Sequence, residues 1–579
     1  MRGVQVAGKR WFRAVLGATV VLTACCGKQA TVSRSAGVGA GAPREATSAA
    51  PGAQPPAAVR AAPAAVASAE PDPARRGKSL YQLPHVTLVS VTDWQATLKP
   101  CGCTMDLQRG GIERIAKWVG DLRQQDDSLL VVHAGSCLFD AEAAASPAKL
   151  AQLAMRTATF GQALSQLQTA AVAVSQWDLQ QGGEATRKAY EALSCAVLAT
   201  GEANGPANAV PLVVKQTASG VRVALLAADS TADTAALAAQ MAPRVALARK
   251  DGAQVVVLLS NLGLRGSRKL VRQVTGIDVV VVGQLDERAE PLHDLEREGD
   301  TLLVHSGRHG AWFSALTLVP AGGGSWRDSS AFLPGEAQQL QGRFDALRRH
   351  IDEAKARGGT SIERALPFYQ AQLDELGQRV AQAKAAEPTA LPAGRLAAFR
   401  AVGLDWSAAV DERIAALVQA YEREAAAAAV KLAAKPLPLP AGSAGYLGQQ
   451  VCLGCHSGTA QFAQTNPHAH AWQTLVRDNK TQDLDCVPCH VTGWGKPGGS
   501  AFDNLKQFHN VQCEACHGPG SLHVASISSG RGILKPPPVT ASACLDCHTP
   551  QHSTRFEFEV YRKRLRVPGH GLPLGGGAP

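Results

Sequence analysis

The chain has 579 residues, of which 45% are hydrophobic and 18% charged, and a formal net charge of +10 at pH 7. That length exceeds what one hydrophobic core serves, so two or three domains are expected, and no apolar run reaches the ~20 residues that span a bilayer as a helix. The positive charge is scattered, part of it at the extreme N-terminus, which argues against a nucleic-acid-binding surface.

Arg2, Lys9, Arg10 and Arg13 form a basic region ahead of the short apolar stretch Ala14 to Ala24. This is the layout of an export signal over residues 1–24. Its end, Leu22-Thr23-Ala24-Cys25, resembles a bacterial lipobox, which implies cleavage before Cys25 and lipid attachment to that residue. The expected product is a periplasm-facing lipoprotein on the inner or outer membrane of a bacterium. Residues 25–78 are dominated by Ala, Pro, Gly, Ser and Thr and read as a disordered tether, because they offer too little apolar surface to offset the entropy of ordering.

Residues 79–333 alternate β-branched blocks with helical stretches. His85 to Thr92, Leu129 to Ala134, Ala171 to Val174, Val221 to Ala227, Gln254 to Leu259, Asp278 to Val282 and Thr301 to His305 read as buried strands, with Ala151 to Leu167 as a helix. That pattern predicts an α/β domain. The successive segments HVTLVSVTDWQ, GGIERIA, LLVVHAGSCLF, AAVAVSQWDLQQG, VVVLLSNLG, DVVVVGQLD and TLLVHSGRHGAWFSALTLV resemble the calcineurin-like metallophosphoesterases of the 5'-nucleotidase type. The resemblance implies a β-sandwich flanked by helices, with two metal ions that clamp a phosphate and activate water at the strand ends.

The ligands that the resemblance requires are mostly missing. The family's Asp-x-His is Asp93, Trp94, Gln95 here; its Gly-Asp is Gly135-Ser136; its Asn-His-Glu is Gln176, Trp177, Asp178. The His of its Ser-His pair is Asn261, and its Gly-His-x-His is Gly283, Gln284, Leu285, Asp286. Only Asp93 survives, and amides, an indole and a hydroxyl do not hold two divalent ions. A phosphoesterase-like domain without metallochemistry is expected, with Asp178 and Asp286 capped or solvated rather than ligating one weak metal ion. Cys101 and Cys103, which flank Gly102, and Cys137, close to His133 in sequence, are candidate disulfide or redox thiols or a soft-metal site, and Cys195 is a further candidate partner.

Residues 334–435 read as a helical connector. Leu340, Phe344, Leu347 and Ile351 form one apolar stripe, Tyr369, Leu373, Leu376 and Val380 a second, and Val410, Ile414, Leu417 and Tyr421 a third. Thr360 and Glu363 fit a capping box, and breaks are expected at Gly358-Gly359 and around Pro388 to Pro392. Such an antiparallel element permits a homodimer. Residues 436–445 are a Pro-rich linker, residues 446–570 a final domain and residues 571–579 a disordered tail.

The final domain carries four C-x-x-C-H strings: Cys452, Cys455, His456; Cys486, Cys489, His490; Cys513, Cys516, His517; and Cys544, Cys547, His548. Each is the attachment signature of a c-type haem, two thiols forming thioethers and the His binding iron; zinc binding would not need a His after every second Cys. Four covalently bound haem c groups are expected, wrapped by a mostly helical and irregular chain. The chain's four Met all lie outside this domain, so His/Met ligation from within it is excluded. His468, His470, His509, His523, His552 and His570 remain as the pool for bis-His ligation, which keeps potentials low.

The strings YLGQQVCLGCH, NPHAHAW, CVPCHVTGWGKPGG, NVQCEACHGPGSLHV and CLDCHTPQHSTRFEFEVY resemble the tetrahaem cytochrome c554 family. The resemblance implies proximal roles for His456, His490, His517 and His548, and points to His470 and His523 as distal ligands, with His468, His552 and His570 next. It implies closely stacked haems that pass electrons, one of which is open in some members. The expected function is electron transfer with redox proteins or quinol-linked carriers as partners; the alternatives are oxidoreduction of a small substrate at a five-coordinate haem, or residual phosphoesterase activity.

Overall fold

The computed structural model describes residues 71–100, 109–139, 146–201, 205–229, 233–286, 289–333, 335–357, 360–385, 390–405, 408–530, 532–549, 552–553 and 556–572. The export signal, Cys25, most of the tether, Cys101, Cys103, the Gly358-Gly359 break and most of the C-terminal tail lie outside the described residues.

In chain order the first domain comprises β1 (Pro71–Arg76), β2 (Val86–Thr92), α1 (Ile112–Arg123), β3 (Leu129–Ala134), α2 (Pro147–Gln166), β4 (Thr169–Ala173), α3 (Gln176–Glu191), β5 (Ala196–Leu198), β6 (Ala209–Val210), β7 (Leu212–Gln216), β8 (Arg222–Ala228), α4 (Thr234–Lys250), β9 (Val255–Ser260), α5 (Gly263–Val271), β10 (Val279–Val282), β11 (Glu296–Glu298), β12 (Thr301–Val304), β13 (Phe313–Val319) and β14 (Arg327–Asp328). There follow α6 (Glu336–Arg357), α7 (Thr360–Ala385), β15 (Ala390–Pro392), β16 (Leu396–Val402) and α8 (Glu412–Leu432). The strands form an eight-stranded sheet, β14-β16-β13-β2-β3-β4-β5-β6, and a six-stranded sheet, β11-β12-β10-β9-β8-β7.

Leu88, Val132, Leu225, Val257, Val279 and Leu302 are among the residues that fill the space between the sheets. The outer face of the larger sheet is covered by α1, α2 and α8 through residues such as Ile112, Phe160, Ile414 and Val418. The outer face of the smaller sheet is covered by α4 and α5 through Leu237, Met241 and Leu270. Burial on both faces explains why strands such as Val279–Val282 lack alternation. This is the α/β sandwich flanked by helices that the sequence predicts.

Two expectations need correction. Residues 334–435 are not helical throughout, because β16 pairs antiparallel with β13 over Phe313–Val319, deep in the larger sheet. The tether also ends earlier than residue 78, since β1 pairs with β15. β1 is Pro-Asp-Pro-Ala-Arg-Arg and β16 is rich in Ala with Arg400 inside it, so strand propensity is weak in both and tertiary pairing overrides it. The first two stripes do form a helical hairpin, in which Leu340, Leu376 and Val380 pack together. The third belongs to α8, which packs on α1 and α2 instead; the side chains of Thr360 and Glu363 are outside the described set.

Residues 446–572 form short helices around a small protein core of Leu475, Val487, Val491 and Leu505. The domain is fastened to the sandwich through α2 and α8. Asp485, next to Cys486, pairs with Lys149 and Arg156 and accepts a hydrogen bond from Gln152 (2.8 Å), while Lys480 bridges Asp483 and Glu422. Leu484 packs on Ala148 and Ala429 beside these charges.

Candidate functional site

The carboxyl ends of β2, β3, β4, β9 and β10 bring together the positions at which the resembled family keeps its metal ligands. Here they are bonded to each other. Asp93 Oδ1 accepts from the Ser136 and Gln284 amides (2.9 and 3.1 Å), and its Oδ2 from the Leu285 amide (2.9 Å). Asp178 Oδ2 accepts from the Cys137 and Leu138 amides and the Tyr190 hydroxyl (2.8, 2.9 and 2.7 Å). Asn261 accepts from the Gly135 amide and donates to the Val174 carbonyl, and Gln284 donates to the Ser136 and Ser175 hydroxyls.

Burial raises the pKa of Asp93, and pushes that of Asp178 up to about 7. A Cβ on Gly135, whose φ is +87°, would lie 2.1 Å from Asp93 Oδ1, and one on Gly283 2.2 Å from the Gly135 amide nitrogen. A centre this closed leaves no room for two ions about 3.5–4 Å apart. Among the described residues no group of three or more His, Cys, Asp or Glu is placed to hold a metal ion. Asp178 is fully buried and capped, whereas Asp286 is exposed, so the pair forms no common site.

The thiol expectation changes at Cys137. It is buried in the core beneath the larger sheet and unbridged, as is the half-buried Cys195, and burial pushes the Cys137 thiol well up and that of Cys195 to about 11. A protonated thiol sealed in apolar surroundings is inert, which removes Cys137 from the redox and disulfide candidates.

An open cavity of about 3400 Å³, far above the ~300–1,000 Å³ of an ordinary ligand pocket, is lined mainly by the C-terminal domain, with Lys99, Glu113, Arg156 and Tyr421 of the first domain on its rim. All twelve Cys and His residues of the four C-x-x-C-H strings line it. So do Val451, Leu522, Ile527, Leu534 and Leu545, apolar side chains that the polypeptide leaves exposed. Their uncovered surface suits a large flat apolar group better than water.

The imidazoles in this cavity are paired. Ring centres lie 6.3 Å apart for His456 and His523, 6.2 Å for His468 and His548, and 6.5 Å for His517 and His570. Two imidazoles bound on opposite sides of one metal ion at about 2.0–2.1 Å, with each ring centre ~1.1 Å behind its nitrogen, would sit about 6.3 Å apart. Nδ1 of His523 bonds the Leu534 carbonyl (2.6 Å), Nδ1 of His570 the Leu565 carbonyl (2.7 Å) and Nδ1 of His490 the Ala471 carbonyl (2.7 Å). Donation from Nδ1 leaves Nε2 as the free lone pair, the usual orientation of a metal-ligating His. Burial lowers the pKa of His468, His517 and His548, favouring the neutral ring that a metal needs.

These pairings reorder the distal candidates. His468 and His470 lie in the single 3-10 turn Pro467–His470, where residues two apart diverge by about 120° in direction. The turn aims His468 at His548 and leaves His470 exposed and outside the cavity lining. His523 and His570 face proximal-position rings, His552 lines the cavity, and His509 stacks on Trp472 at 4.0 Å outside it. Among the described residues no second imidazole ring faces His490. The Nδ1 acceptors are backbone carbonyls, so no residue type in the sequence could have revealed them.

Attachment motifs around one apolar cavity, with paired and oriented imidazoles, define a c-type cytochrome domain. The particular likeness is to cytochrome c554: residues 451–518 match the family described as cytochrome c554 and c-prime. Cytochrome c-554 of Nitrosomonas europaea is 36% identical over 96 residues, covering 14% of this chain and 41% of that protein. The chain therefore spans about two-fifths of the length of this curated relative. The family match implies covalently bound haem c. Among solved structures, a 5'-nucleotidase precursor from Thermus thermophilus is 16% identical with a TM-score of 0.39, covering 61% of each chain. The NAD nucleotidase of Haemophilus influenzae is 17% identical with a TM-score of 0.33, covering 40% of this chain and 52% of its own. Likeness at this level carries no inference about activity.

Proposed function

We propose that the protein is a periplasm-facing, lipid-anchored tetrahaem cytochrome that relays electrons, and that its phosphoesterase-like domain serves binding or docking rather than hydrolysis. The observation that carries the reading is the set of three imidazole pairs at 6.2–6.5 Å inside a cavity lined by every attachment residue. Haem c bound there would supply one-electron chemistry at iron. The chain's contribution is to anchor each porphyrin by two thiols, to orient His490, His523, His548 and His570 through their Nδ1 bonds, and to keep the row compact.

The thiols also suggest the order of that row. Cys452 lies beside Cys513, Cys516 within electrostatic reach of Cys544, and Cys547 beside Cys489. Neighbouring motifs therefore run first, third, fourth, second, and the row ends at His490, whose motif is fastened to the sandwich through Asp485. Redox proteins or quinol-linked carriers would load one end of such a row.

A second reading has its own observation: His490 lacks a facing imidazole among the described residues, which favours an open iron that takes a small substrate. Electron paramagnetic resonance of the oxidised, haem-loaded protein before and after nitric oxide separates the two. Four low-spin irons indifferent to nitric oxide support a pure relay; a high-spin signal that shifts supports the oxidoreductase. Hydrolysis of a nucleotide by the manganese- or zinc-supplemented protein would overturn the non-hydrolytic role of the sandwich, which rests on the closed centre around Asp93 and Asp178.

A further inference from the structure

The carbonyls that orient the imidazoles differ in how they are themselves held. His570 Nδ1 donates to Leu565 and His490 Nδ1 to Ala471, and these acceptors belong to the helices Phe558–Leu565 and Ala471–Arg477. His523 Nδ1 donates instead to the Leu534 carbonyl (2.6 Å), and Leu534 lies within residues 532–538, an exposed stretch outside any helix or strand. Backbone with so little burial opens readily and does not keep a carbonyl in one place by itself. The imidazole is then fixed only as well as its acceptor is.

One side chain supplies the missing restraint. Ser526 is 8% exposed and stands one turn after His523 in the helix Ser521–Ser529. Its hydroxyl donates to the His523 carbonyl (2.7 Å) and accepts from the Leu534 amide (2.9 Å). With the Nδ1 bond these contacts close a ring: His523 carbonyl to Ser526 hydroxyl, hydroxyl to Leu534 amide, Leu534 carbonyl back to the imidazole. The helix ends at Gly530 with φ +67°, and Gly532 follows at φ +99°, left-handed values that let the chain double back to bring Leu534 onto Ser526. Among the described residues, the two bonds of Leu534 are the hydrogen bonds that hold 532–538.

We propose that Ser526 is the positioning residue of His523: it pins Leu534, whose carbonyl fixes the tautomer and direction of the imidazole that faces His456. The proposal rests on the reading of His523 as a distal haem ligand and names the residue on which that ligation depends. A ring that donates from Nδ1 to a fixed carbonyl offers a more basic Nε2, and loss of such an outer partner commonly weakens metal binding by about 10–100-fold. Ser526 is not part of the cavity lining, so its effect on a bound haem passes through His523 and Leu534.

The test is cyanide titration of the ferric, haem-loaded full chain, followed by paramagnetic resonance, in the parent, Ser526→Ala, Ser526→Thr and His523→Ala. Cyanide competes with a distal imidazole for iron, and His523→Ala identifies the signal of the haem concerned. In Ser526→Ala the cyanide midpoint at that haem should fall at least about threefold, the scale set by one lost hydrogen bond. Ser526→Thr keeps the hydroxyl and should stay within about threefold of the parent. Haem count and the signals of the other haems should not change; a loss of haem or a shift at every haem would mean a general structural role and overturns the proposal. A shift under about threefold in Ser526→Ala, or as large a shift in Ser526→Thr, also overturns it while leaving His523 a ligand. An unchanged spectrum in His523→Ala overturns the ligand pairing and the proposal together, so the two failures are distinguishable.

Discussion

Replacing His523 by alanine tests the pairing argument most directly. His523 faces His456 at 6.3 Å with ring planes 28° apart, and its Nδ1 is committed to the Leu534 carbonyl. Three such pairs are described, and no second imidazole ring faces His490 among the described residues. Removing His523 takes the facing imidazole from one iron, so the high-spin signal should rise over that of the parent by about a quarter of the total iron. The attachment residues Cys452, Cys455 and His456 are untouched, so a pyridine haemochrome assay should still count four haems. The change should be visible in the paramagnetic resonance spectrum and in the charge-transfer absorption of the ferric protein. His470→Ala is the control, because His470 is exposed and outside the cavity lining. An unchanged spectrum for His523→Ala, or a gain of high-spin iron in His470→Ala, would refute the reasoning.

Three other outcomes follow from the sandwich and its junction. Asp178 has a folded-state pKa raised by burial from 3.8 to about 7, so the folded chain holds the extra proton and stability declines as pH rises through that interval. Asp178→Asn should flatten this slope and raise stability above pH 7 relative to the parent by about 2–4 kcal/mol, read from denaturant midpoints across pH; a parallel slope would sink the assignment. Gly135→Ala combines a φ of +87° with a Cβ 2.1 Å from Asp93 Oδ1 and should cost roughly 3–5 kcal/mol in urea unfolding; a loss under about 1 kcal/mol would show the centre to be looser than described. Asp485→Ala removes contacts to Lys149, Gln152 and Arg156, but its side chain is 35% exposed, so after screening about 2 kcal/mol of interdomain stability should go. Faster limited proteolysis of the 436–445 linker reports that loss, and an unchanged rate would mean that apolar packing around Leu484 carries the junction.

Much of the candidate site was legible because haem attachment is local chemistry: two thiols and a His within five residues fix the reactive group wherever the chain goes. Distal ligation is not local. His468 and His470 differ in sequence only by their place in a 3-10 turn, and their neighbours in space come from residues far along the chain. The loss of metal ligands at Gln95, Asn261 and Gln284 was also readable, since residue type alone decides metal affinity. That those amides and hydroxyls would seal the centre with mutual hydrogen bonds depended on backbone placement.

The strand blocks around Val86–Thr92, Leu129–Ala134 and Val279–Val282 declared themselves because burial on both faces demands continuous branched apolar residues. β1, β15 and β16 did not, because Ala, Arg and Pro have weak strand propensity and these segments are ordered by the partners they meet. By itself, then, the sequence determined the haem-attachment motifs and the α/β class of the first domain, both properties of residue types at short spacing. Only the tertiary structure decided which imidazoles face each other and how Asp485 fastens the last domain to the sandwich, because each of these is a distance between residues that the chain order keeps apart.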